Sequence, residues 1–104
     1  MKLMTKEIEA KLPKLYATEH LKPEEKPIIV KFFHPFSSIA WYACEGEQQE
    51  NGNWLFFGWV HGDFPEMGYF TLSQLQSIKL MGLPVERDRH FGDHMLAEAM
   101  KERI

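Results

Sequence analysis

A chain of 104 residues, 44% apolar and 26% charged, has room for one hydrophobic core and is too apolar to stay disordered. Its single cysteine, Cys44, rules out an internal disulfide and a cysteine-built zinc cage. The net charge of −3 is unevenly spread: between Phe32 and Ile78 there is no Lys or Arg, while Glu45, Glu47, Glu50, Asp63 and Glu66 all fall there. That stretch lacks the cations needed to grip a phosphate backbone, so nucleic-acid binding through it is not expected.

Residues Met1 to Glu7 run straight into alternating charge without the apolar run of a signal peptide. No segment approaches the roughly 20 apolar residues that cross a bilayer. A cytoplasmic protein with no membrane contact is expected. Thr5 is placed to cap a short helix from Lys6 to Lys11 or Leu12, which Pro13 ends by driving Leu12 out of the helical region. Glu19 to Pro27, with Pro23, Pro27 and the charges between them, reads as an exposed connector.

Three strands are expected next, at about 28–34, 39–46 and 54–61. The Asn51-Gly52 dipeptide marks a tight hairpin between the second and third. Short links make all pairings antiparallel and sequential. On the third strand Trp54, Phe56 and Val60 point one way and Leu55, Phe57 and Trp59 the other, so both faces of the sheet need cover. Thr71 and Gln74 form a capping box, with Phe70 and Leu75 at its hydrophobic staple positions. A last amphipathic helix begins near Asp93, with Leu96, Ala99, Met100 and Ile104 on one side. The expected fold is α+β: a short three-stranded antiparallel meander packed with an N-terminal helix and two C-terminal helices, in one domain.

Several constellations invite a chemical reading. His61, Asp63 and Glu66 sit in a loop after a strand and are acceptable ligands for a divalent metal. No defined metal motif is met, so a polar turn is the preferred reading and no cofactor is expected. His90 and His94 are four apart, but Gly92 and Asp93 place the helix start between them. The strip Glu86, Arg87, Asp88, Arg89 offers charged recognition on an extended segment, against the plainer reading of a salt-bridged edge. Cys44 has no nearby cation to activate it and reads as a buried small residue. Most of the aromatic residues must be core. An uncovered subset of Trp41, Tyr42, Trp54 and Trp59 would make a protein-binding surface.

The runs Lys31-Phe32-Phe33-His34-Pro35-Phe36, Trp41-Tyr42-Ala43, Glu66-Met67-Gly68-Tyr69-Phe70, Gly82-Leu83-Pro84-Val85-Glu86-Arg87-Asp88 and Phe91-Gly92, taken in this order, resemble a bacterial family catalogued as domain of unknown function 2958. The opening Met1 to Glu7 and Leu12-Pro13-Lys14-Leu15-Tyr16 fit as well. The resemblance implies a small protein often carried on plasmids and integrative conjugative elements, and it implies no activity. The function expected is therefore a non-enzymatic interaction module with a protein partner, a homodimer being one form of that. Its candidate surface is Trp41, Tyr42, Trp54, Trp59, Glu86, Arg87 and Asp88. The alternative is a small metal-dependent hydrolase or nuclease that brings Asp63, Glu66, Glu86 and Asp88 into one pocket. Nucleic-acid binding through the Lys-bearing helices at the two ends is a third option.

Overall fold

The computed structural model describes all 104 residues. Its first helix, α1 (Lys6–Lys11), starts where Thr5 turns extended and its hydroxyl accepts the Ile8 N–H at 3.2 Å. The helix stops at Leu12, whose ψ of 121° is the one Pro13 imposes. A single 3₁₀ turn follows at Pro23–Glu25. The connector around it is exposed apart from Leu21, which is half-buried, and Lys26, which is buried.

The first expected strand divides in two. Residues Pro27–Ile28 (β1) leave the sheet, while Val30–Phe33 (β2) remains in it. Then come β3 (Ala40–Gln48) and β4 (Trp54–His61), joined through Gly52 in the left-handed region at φ 88°. The chain continues into β5 (Glu66–Thr71), a fourth meander strand beyond the three expected. Next is α2 (Leu72–Ser77), where Thr71 Oγ1 accepts the Gln74 N–H at 3.2 Å and Gln74 Oε1 accepts the Thr71 N–H at 2.8 Å. The hairpin β6 (Lys79–Leu80) and β7 (Leu83–Pro84) turns through Met81 and Gly82, both at positive φ. Two short strands, β8 (Glu86–Arg87) and β9 (His94–Met95), precede α3 (Leu96–Lys101).

The sheet therefore has five antiparallel strands in the order β5-β4-β3-β2-β8, not three. β8 joins it by returning from the far side of α2 to pair with β2, a long-range pairing that local periodicity does not reveal. β1 pairs instead with β9, in the register Pro27↔Met95 and Ile28↔His94. Between Ala43 and Glu45 the β3–β4 register shifts, leaving Cys44 as the extra residue of a bulge.

Both faces of the sheet are covered. On the first, Val30, Phe32, Trp41, Ala43, Phe56 and Phe70 pack with Leu3, Leu12, Leu75 and Val85. Phe56 is the hub, with ring centroids 5.6 Å from Phe32 and 5.3 Å from Phe70. On the second, Ala40, Tyr42 and Cys44 pack with Ile28 and with Leu96 and Ala99 of α3. Each large side chain so buried stabilises the fold by about 1.5–3 kcal/mol.

Candidate functional site

The strip after Val85 helps line a groove of about 470 Å³, together with Thr5 and residues of α1. Ile8, Ile28 and Val30 supply apolar lining, and Glu7, Lys11 and Arg89 supply charge. Two strip residues are already engaged in holding the fold. The Arg87 guanidinium donates to the Lys2 carbonyl, and the Arg87 backbone N–H donates to Met1 Sδ at 3.3 Å. Asp88 accepts the His90 N–H at 3.0 Å and faces the Lys31 ammonium at 4.0 Å. Glu86 is half-buried and paired with Phe33. The groove is thus a mixed-charge cleft in which an anion and a cation alternate along one wall.

Two buried lysines organise the polar interior, and sequence reasoning singled out neither. Lys26 lies 3.6 Å from Glu45 Oε2, each side chain at most 6% exposed. Its Nζ donates to the Thr18 carbonyl at 2.5 Å and to Thr18 Oγ1 at 2.8 Å. Glu45 in turn accepts the Tyr16 N–H at 2.8 Å, the Thr18 N–H at 3.0 Å and the Thr18 hydroxyl. Burial alone would push this carboxyl up, but these hydrogen bonds and the Lys26 charge outweigh it and hold it below the ordinary carboxylate value. A carboxylate directly after the apolar run Ala40–Cys44 of β3 was the available signal, because a charge in such a place needs a partner.

Lys31 projects on the second face, with Nζ 5.3–5.8 Å from the ring centroids of Phe33, Tyr42 and Phe91. It donates to the Ile104 carbonyl at 2.7 Å. Burial chiefly lowers its pKa, Arg103 adds to this, and Asp88 works against it. This lysine ties β2 to the segment after α3. His34 is fully buried and satisfied: Nδ1 accepts the Phe36 N–H at 3.1 Å, which leaves Nε2–H to donate to the Leu83 carbonyl at 3.0 Å.

The four aromatic candidates are packed rather than displayed. Trp41 belongs to the first-face core and Tyr42 to the second. Trp54 is half-buried and stacks on Phe56 at 6.4 Å, and half-buried Trp59 packs on the second cluster. Three buried polar atoms, Tyr42 Oη, Trp59 Nε1 and His61 Nδ1, have no protein hydrogen-bond partner. Cys44 is 1% exposed, and burial pushes its thiol up to about 12, with Lys26 opposing and Glu45 adding. A thiol reagent at neutral pH is expected to leave the native protein unmodified and to label it once urea unfolds it.

The four carboxylates of the hydrolase reading do not meet. Asp63 and Glu66 are exposed at the turn into β5, whereas Glu86 and Asp88 belong to β8 and its continuation at the other edge. Four interstrand steps separate those edges, roughly 19 Å. No group of three or more His, Cys, Asp and Glu side chains is placed to share a metal ion, so His61, Asp63 and Glu66 do not form such a group. His94 is turned to Glu98 at 3.2 Å instead of toward His90.

Of the eight large apolar side chains that the molecule exposes, four lie at one end of the sheet, and Met1, Tyr16, Tyr69 and Met95 lie elsewhere. The β2–β3 turn and the β4–β5 turn lie side by side there, because Ala40 pairs with both Phe33 and His61. The bond from His34 to Leu83 brings the β6–β7 hairpin to the same end. These loops carry Phe36, 68% exposed, Phe64, 84%, Leu80, 42%, and Met81, 84%. Met81 is held at φ 58°, in the left-handed region that costs a side-chain-bearing residue of order 1–3 kcal/mol. Phe64, set between Asp63 and Pro65 in a turn, was the readable signal of this surface.

Fold and site together define a small α+β protein with a core on each face of its sheet and exposed apolar side chains at one end. A family model described as protein of unknown function (DUF2958) matches residues 3–101, and the chain belongs to that family. No curated protein and no solved structure matches it.

Proposed function

We propose that this protein is a non-enzymatic interaction module, an accessory protein of plasmids or integrative elements, that binds a protein partner through the exposed loop end of its sheet. The supporting observation is the concentration of Phe36, Phe64, Leu80 and Met81 on three adjoining loops. Large apolar side chains gathered on a surface mark binding sites more often than isolated ones do. Asp63 and Glu66 flank Phe64 and outnumber the one cation of these loops, Lys79 beside Leu80. That charge favours a partner with basic groups around an apolar recess, and disfavours an anionic membrane or nucleic acid.

The test is affinity capture from host lysate with the tagged native chain and with a Phe36→Ser, Phe64→Ser, Met81→Ser variant. All three side chains are exposed, so the variant should keep its circular dichroism and melting temperature. The native chain should recover a defined protein that the variant does not, and recovery should weaken as salt rises. Equal recovery by both would place the binding surface elsewhere, and no specific recovery by the native chain would remove the reading.

A further inference from the structure

We infer that the outer edge of β5 pairs with the same edge of a second copy, joining two five-stranded sheets into one. The two edges of the sheet are closed very differently. At the β8 edge the strand is two residues long and charged, and Arg87 holds Met1 and Lys2 against it. Short length, charge and a covering segment are the devices that stop a sheet from extending. β5 has none of them. It is six residues long, carries its one charge at its first residue, Glu66, and pairs with β4 without a bulge. From Glu66 to Phe70 no backbone hydrogen bond leads anywhere except to β4. From Glu66 to Phe70 the outward N–H and C=O groups meet no protein group, while at Thr71 the N–H is taken by Gln74 Oε1.

A second copy is the occupant because the strand complements itself. Side chains keep their faces in a two-fold antiparallel pair only if the axis passes through a residue. Centring on Gly68 pairs residues 66–70 of each copy, and centring on Tyr69 pairs 67–71, so either register matches five residues. In the first, Met67 lies opposite Tyr69 and Glu66 opposite Phe70. In the second, Gly68 lies opposite Phe70 and Met67 opposite Thr71. Neither opposes like charges, which would be destabilising directly across a pair. Nor does anything block the approach: Tyr69 is 50% exposed, and a Cβ built on Gly68 meets no atom within 4 Å. The inference rests on the backbone edge and is independent of the loop-end surface.

The test is sedimentation of the full chain across a concentration series. The mass should rise from 12.2 kDa toward twice that value. Of Tyr69→Lys and Gly68→Lys, each accommodated by the fold on a different face, the one on the axis sets lysine against lysine and should stay monomeric at the same concentrations. The loop-end triple variant should dimerise as the native chain does. With Cys44 buried, Gly68→Cys or Tyr69→Cys should oxidise to a disulfide-linked dimer at whichever residue lies on the axis, and Gln76→Cys on exposed α2 should not. A native chain that remains at 12.2 kDa throughout overturns the inference, even if another protein's strand occupies the edge. Dimers that persist in both lysine variants overturn it equally.

Discussion

Replacing Glu45 by alanine should cost about 3–5 kcal/mol, the range for breaking a buried ion pair by removing one partner. The loss has two parts. The Lys26 ammonium, 5% exposed as a residue, keeps its bonds to Thr18 but loses its counter-charge. The Tyr16 N–H, Thr18 N–H and Thr18 hydroxyl lose their acceptor. Tyr16 sits at φ 70°, so the carboxylate also supports a strained residue. Urea unfolding should show a lower midpoint with an unchanged slope, and against a total stability of about 5–15 kcal/mol the variant is left near the margin. A Lys26→Met, Glu45→Leu double variant should recover much of the loss, because no unpaired charge remains. If Glu45→Ala unfolds at the native midpoint, the pair does not anchor the segment. The pH dependence follows from the lowered folded-state value of Glu45. Its stabilisation is complete above the ordinary value of 4.5 and is lost as pH falls below that and through the lower folded value. Glu45→Gln should flatten that acid arm of the stability curve.

Gly58→Ala should be comparably severe, at least about 3 kcal/mol, or roughly 12 °C or more in melting temperature. A Cβ at this position would lie 1.8 Å from the Tyr42 carbonyl oxygen and 3.0 Å from the Ala43 Cα. Both obstacles are backbone of β3 beside the bulge, so no side chain can rotate to make room. Gly68, directly across on β5, provides the control: its added methyl meets nothing, and Gly68→Ala should stay within about 0.5 kcal/mol of the parent. Equal melting temperatures for the two variants would contradict this close approach.

The parts of the fold readable from sequence were those set by neighbouring residues. Thr5 and Thr71 cap helices because a hydroxyl reaches N–H groups three residues on, and Asn51-Gly52 turns because glycine tolerates positive φ. The two-sided apolar pattern of β4 correctly demanded cover on both faces. What escaped depended on distance along the chain. Met67-Gly68 has weak strand propensity and becomes β5 only because β4 offers a free edge. Glu86-Arg87 becomes β8 only because β2 does the same. Ile29 breaks the first expected strand because β1 is drawn to β9, 66 residues away at Ile28↔His94. The candidate surface suffered likewise. Trp41 and Tyr42 look like recognition residues in a list of aromatics, yet they sit on the strand second from β8, with packed partners on both faces. Phe36, Phe64 and Met81 gather at one end only through the sheet registers and the bond from His34 to Leu83.

The late position of α3 in the chain bears on how the protein is made. The meander from β2 to β5 closes through short loops and can form while later residues are still being synthesised, since short closures cost the least entropy. Its second face then has no lid, because Leu96 and Ala99 have not yet left the ribosome. Until they do, Tyr42, Cys44 and Trp59 face water, and the nascent chain exposes an adhesive aromatic surface of the sort chaperones retain. The β1–β9 bridge, which joins residues 66 apart at Ile28↔His94, is the step that ends this exposure.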